Sequence, residues 1–179
     1  MTISVFNLFS IGIGPSSSHT VGPMKAAKTF ADVLVATQKL TLVTRIKIEL
    51  FGSLAYTGKG HGTDGAVLLG IEGNSPDTVD PEFIKPRAHD IITENRINVA
   101  GTHSIPFNLL QDLEFNFKEL LPAHTNGMRF IAYDSASQEI LSKIYYSIGG
   151  GFIAEEHETS TSIVANQYAV PFPFNTPKE

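Results

Sequence analysis

The run Gly12-Ile13-Gly14-Pro15-Ser16-Ser17-Ser18-His19-Thr20-Val21-Gly22-Pro23-Met24 leaves the backbone little choice but a tight turn that delivers the chain into a helix. Apolar residues Val5, Phe6, Leu8, Phe9, Ile11 and Ile13 lead into it, and a helix-forming segment, residues 24–38, follows. N–H groups at a helix start lack intrahelical acceptors, and together with the positive end of the helix dipole they favour an anion. Ser16, Ser17, Ser18, His19 and Thr20 add side-chain donors, and the glycines let a ligand approach the backbone closely. Two readings are open for this turn: a cradle for a carboxylate or phosphate, and a serine-rich helix cap. A phosphate-binding P-loop is excluded, because His19 and Thr20 stand where Gly-Lys is required.

Downstream, Arg45–Phe51 alternates polar and apolar residues with period two, as a strand buried on one face does, and Gly52 ends it. The glycines of residues 58–65 predict a loop, and residues 66–71 a short buried helix capped by Thr63 or Asp64. Residues 75–81 read as a turn, 82–94 as a helical stretch broken by Pro86, and Arg96–Val99 as a further strand. Residues 113–117, 128–133 and 140–148 read as three strands, mostly antiparallel neighbours, joined by turns such as 125–127 and 134–137. Helices early and strands late predict an α+β fold with a mixed, largely antiparallel sheet and helices packed on one face. The domain is expected over residues 1–154. From 155 to 179 the chain turns polar and then proline-rich, as a linker toward a further domain would.

Length and charge narrow the function classes. A chain of 179 residues accommodates one ordinary domain. Charged residues make up 17% of it, against about 25% for an average soluble chain, so part of the surface is expected to meet another domain or subunit. A net charge of -5 gives no general attraction to nucleic acid or anionic membranes. The absence of cysteine excludes disulfides, a thiol nucleophile and direct iron-sulfur ligation within this chain. With neither a signal peptide nor an apolar run of membrane-spanning length in the sequence, a cytoplasmic protein is expected.

His61, between Gly60 and Gly62, is a candidate general base, the alternative being a solvated loop histidine. Gly60, Gly62 and Gly65 match the dinucleotide fingerprint literally, but residues 53–59 separate them from the preceding strand and the following helix is short. His19, His61, His89, His103, His124 and His157 lack metal-ligand spacing, so no metal site is expected here. His103 and His124 read as turn residues. Gly149, Gly150 and Gly151, after Ser147, permit close approach of a ligand or serve as a strand end or bulge.

Two separated segments now point the same way. Ile13 to Met24, with its three serines, His19 and Thr20, and Phe51 to Asp64, with Lys59, His61 and Thr63, resemble the β region of iron-sulfur-dependent L-serine dehydratases. Residues 145–152 fit the same pattern. The resemblance implies conversion of L-serine to pyruvate and ammonia, with a 4Fe-4S cluster ligated outside this chain by a catalytic α domain or subunit, and a homodimer. It implies no activity for this fragment alone. On that basis Ser16, Ser17, Ser18, His19 and Thr20 are expected to hold the substrate carboxylate and His61 to serve as the base. Lys59, Thr63, Asp64, Ser147, Gly149 and Gly150 are expected to complete the substrate site. The domain is also similar to the allosteric substrate-binding domain of D-3-phosphoglycerate dehydrogenases, so a regulatory L-serine-binding domain without chemistry stands as the alternative.

Overall fold

A computed structural model describes residues 12–156. The apolar lead-in before Gly12, His157 and the linker residues after Glu156 lie outside the described residues.

Apolar alternation builds the sheet. β1 (Arg45–Phe51) turns Ile46, Ile48 and Leu50 to one side, and β5 (Gly127–Tyr133) turns Met128, Phe130 and Ala132 the same way. These residues form one core with Ala27, Phe30 and Leu34 of α1 (Gly22–Ala36) and Val67 and Leu68 of α3 (Thr63–Ile71). The five-stranded order is β4-β1-β5-β6-β7, with β4 (Leu113–Asn116), β6 (Glu139–Gly149) and β7 (Phe152–Glu155) completing it. On the other face Glu49 sits directly opposite Arg129 and bonds to it and to Lys47. Burial alone would raise the Glu49 carboxyl, but hydrogen bonds from Arg129 and Lys47 hold it below its ordinary pKa.

The α+β class and the mixed, largely antiparallel sheet are therefore present, and four local expectations need correction. First, residues 58–65 are not a loop: α2 (Ser53–His61) runs through Gly58 and Gly60, and only Gly62 breaks it. Leu54, Ala55 and Gly58 form the buried stripe that holds α2 down, and Gly58 is packed so closely that a Cβ there would stand 3.1 Å from Thr63. Gly62 takes φ 70° and ends α2 while starting α3, with no side-chain cap from Thr63 or Asp64. Second, α4 (Pro81–Glu94) continues through Pro86, because the acceptor freed at Glu82 lies on the exposed side.

Third, β4 pairs parallel with β1 and does not neighbour β5, since residues 117–126 carry the chain across the sheet. Fourth, His103 opens a strand: β2 (Arg96–Val99) and β3 (His103–Pro106) form a separate antiparallel pair, and His103 Nε2 lies 2.7 Å from the Val43 carbonyl. A short α5 (Leu109–Asp112) then leads into β4. The first helix also begins earlier than its apolar pattern implies, at Gly22, and ends at Ala36.

Candidate active site

The opening turn is a single π-helical turn, Ser17–Val21, running directly into α1. Its donors are partly spent on itself: Thr20 N–H bonds to the Ser16 carbonyl at 3.0 Å and His19 N–H to Ser16 Oγ at 3.1 Å. Ser16 is thus the side-chain cap, while Ser17 is exposed. Two reciprocal bonds clasp this turn to the α2–α3 corner. Thr20 Oγ1 donates to the His61 carbonyl at 2.9 Å, and Thr63 Oγ1 donates to the His19 carbonyl. Each hydroxyl has one proton, so Thr20 and Thr63, both buried, have none left to donate to a ligand.

The clasp brings the two histidines together. Their ring centroids are 4.9 Å apart, with the planes inclined at 39°. His61 Nδ1 lies 2.9 Å from the Thr57 carbonyl one turn earlier on α2. A carbonyl only accepts, so Nδ1 carries the proton and the neutral ring keeps its lone pair on Nε2. His19 is held from both sides by hydroxyls, Nδ1 by Ser18 at 2.9 Å and Nε2 by Ser53 at 3.0 Å. Burial first, then the neighbouring charge of His61, lowers the His19 pKa below 6.5, against an opposing contribution from Ser53. His19 is therefore a neutral imidazole at pH 7.

His61 borders a cleft of about 670 Å³ between the opening turn, the α2–α3 corner and α4. Gly14 and Thr20, Lys59 and Asp64, and Lys85 and His89 are among its walls. Lys59 also reaches back over the Phe115 ring, 5.1 Å from its centroid, and Asp64 Oδ1 accepts from Gly65 N–H. Ser147 lies elsewhere, fully buried under the start of α1, where a Cβ on Gly22 would collide with its hydroxyl. Its backbone is held by Asn126, which receives Ser147 N–H at 3.0 Å and donates Nδ2–H to its carbonyl at 3.1 Å. Gly149 ends β6 with φ 95° and pairs with Phe152, and Gly150 and Gly151 form the β6–β7 hairpin turn with φ of 59° and 76°. Among the described residues, Gly149 and Gly150 do not line that cleft.

Ser53, Thr57 and Lys85 carry no signal of their own in the sequence, and His89 drew notice there only as one of six histidines without metal-ligand spacing. Reading 53–61 as helix is the signal that finds the first two, since Ser53, Thr57 and His61 then recur every fourth residue along one face. Among the described residues no group of three or more His, Asp or Glu could hold a metal ion, and the sequence contains no cysteine.

An α+β domain thus sets two histidines against each other, one with its pKa lowered by burial and one lining a cleft. The chain belongs to the serine dehydratase beta chain family, whose model matches residues 4–158. It is 49% identical to an L-serine dehydratase of Streptomyces coelicolor over 180 aligned residues, covering 100% of this chain and 40% of the relative. L-serine dehydratase 1 of Escherichia coli is 46% identical over 178 residues, 99% of this chain and 38% of the relative. An L-serine dehydratase of Helicobacter pylori is 37% identical over 179 residues, covering 99% of this chain and 39% of the relative. The chain thus spans about two fifths of the length of the curated relatives it matches. No helix among the described residues is long and apolar enough to cross a membrane.

Proposed function

We propose that this chain is the β region of an L-serine dehydratase and supplies the general base, His61, to an active site completed by a companion α segment. The observation that carries the reading is the bond from His61 Nδ1 to the Thr57 carbonyl, which leaves Nε2 as the basic nitrogen of a histidine that lines the cleft. Loss of water from L-serine requires removal of the α-proton and departure of the β-hydroxyl. His61 Nε2 takes the α-proton and later returns it to solvent; the hydroxyl leaves as water with a proton drawn from solvent, giving 2-aminoacrylate. That enamine tautomerises to the imine, and water then hydrolyses it to pyruvate and ammonia. Overall, one water is released and one consumed.

Neutral His19 makes chemical sense beside such a base. A cation there would repel the proton arriving at His61, whereas a neutral ring leaves the neighbour free to accept it. Ser18 and Ser53 flank His19 and fix its ring plane. The substrate carboxylate is assigned to the opening turn, with Ser17 exposed and Ser16 and Ser18 half-buried, and to the cation of Lys59 at the cleft wall. The cluster that the family resemblance implies is assigned to the companion segment, and no step above depends on it.

The test is turnover of L-serine by the full-length enzyme carrying His61→Ala. The reading predicts loss of about 10²–10⁴-fold in kcat, the usual scale for a positioned base, with competitive inhibitors still bound. Near-normal kcat with altered cooperativity would move the domain to the regulatory alternative.

A further inference from the structure

Three large apolar side chains stand exposed on α2 or against it. Tyr56 is 67% exposed, Phe117 54% and Leu120 69%. Tyr56 meets the Phe117 ring edge-on with centroids 5.2 Å apart, and its hydroxyl donates to the Phe117 carbonyl at 2.9 Å. Leu120 packs at the entry to α2, where a Cβ on Gly52 would stand 3.2 Å from its methyl. Tyr56 lies on the helix that carries Ser53, Thr57 and His61, so apolar patch and candidate base share one element. Contiguous exposed apolar surface of this kind marks an interface.

Gly60 supplies an independent observation. It lies inside α2 with an ordinary helical φ, and among the described residues a Cβ there would meet nothing within 4 Å. Neither the backbone nor a neighbour among the described residues requires glycine, although glycine in a helix costs about 1 kcal/mol relative to alanine. A glycine that the described residues do not need is explained by close approach of something outside them. Gly60 is one turn from Tyr56 and adjacent to His61.

We propose that Tyr56 and Gly60 on α2, with Phe117 and Leu120, form the docking surface for the companion segment present in full-length L-serine dehydratases. This rests on the shared-site reading above. The choice of occupant follows from two facts: about three fifths of each relative lies outside the match, and a chain without cysteine can neither ligate a cluster nor bring one to His61 as a second copy of itself. A segment that completes the site must come down beside His61, and the apolar patch and bare Gly60 backbone lie there.

Hydroxyl-radical footprinting of the full-length protein tests the surface. Tyr56 and Phe117 are expected to lose oxidation to the level of buried Tyr145, while exposed Phe83 and Leu110 remain reactive. Tyr56 and Phe117 as reactive as Phe83 would overturn the assignment. So would protection that disappears on dilution to monomer, which assigns the patch to a second copy, or protection lost on deleting residues 1–11. Gly60→Ala in the same protein is expected to lower Tm; a rise marks an open helix position and sinks the close-approach argument. Pyruvate formation by the parent and His61→Ala proteins keeps the two ideas separable. An exposed Tyr56 with an inactive His61→Ala removes the docking surface and leaves the base, and a protected Tyr56 with an active His61→Ala does the reverse.

Discussion

His61 and His19 are the same residue type placed in opposite hydrogen-bond settings. A carbonyl fixes the His61 proton on Nδ1, whereas hydroxyls on both sides of His19 let either nitrogen donate. Burial and the facing His61 depress the His19 pKa, which ties stability to pH. Below about 6.5 the unfolded chain binds a proton that folded His19 refuses, so this contribution is full above 6.5 and fades as pH falls toward the lowered folded pKa. Chemical denaturation of the wild type and His19→Gln at about pH 7.5 and about pH 5 measures it. The wild type is expected to lose more stability on acidification than His19→Gln; equal losses would contradict the assignment. At this scale the sequence was informative about identity and poor about role. His61 stands out because glycines flank it, but Thr20 and Thr63 look like ligand donors until their protons are seen committed to carbonyls across the clasp.

Helices α1, α2 and α3 show how glycine content misleads a one-dimensional reading. Gly58 and Gly60 lower the intrinsic helix propensity of α2, yet burial of Leu54 and Ala55 outweighs it, and a loop was the wrong expectation. Gly62, the residue at positive φ, is the one that does break the helix. Gly70 has a third role. A Cβ there would collide with the Met24 carbonyl oxygen and stand 2.7 Å from Ala27 Cβ, so α1 and α3 cross where no side chain intervenes. Gly70→Val is expected to cost about 1–3 kcal/mol of overpacking, or more where the helices must separate, read as a lowered denaturation midpoint. An unchanged midpoint would mean that the crossing has slack. Alternation made β1 legible, and β5 and β6 also read as strands, whereas the parallel pairing of β4 was not legible, because period two marks a buried face and says nothing of the neighbour.

Across the whole molecule, the sheet and its helices hold the opening turn, the α2–α3 corner and α4 around one cleft, with the candidate base at its edge. The α+β class was readable because helical and strand patterns segregate along the chain. The cleft was not: Lys85 and His89 come from α4, whose only sequence signature was a proline-interrupted helical pattern, and their meeting with His61 is a tertiary event. The low charge content fits a region that buries part of its surface against a companion. Everything proposed for function converges on one nitrogen, His61 Nε2. Its most direct test is chemical rescue of full-length His61→Ala by exogenous imidazole, followed as pyruvate formation from L-serine. If His61 removes the α-proton, imidazole restores turnover in proportion to its free-base concentration. A variant that imidazole leaves inactive, or one that needs no rescue, would contradict the assignment.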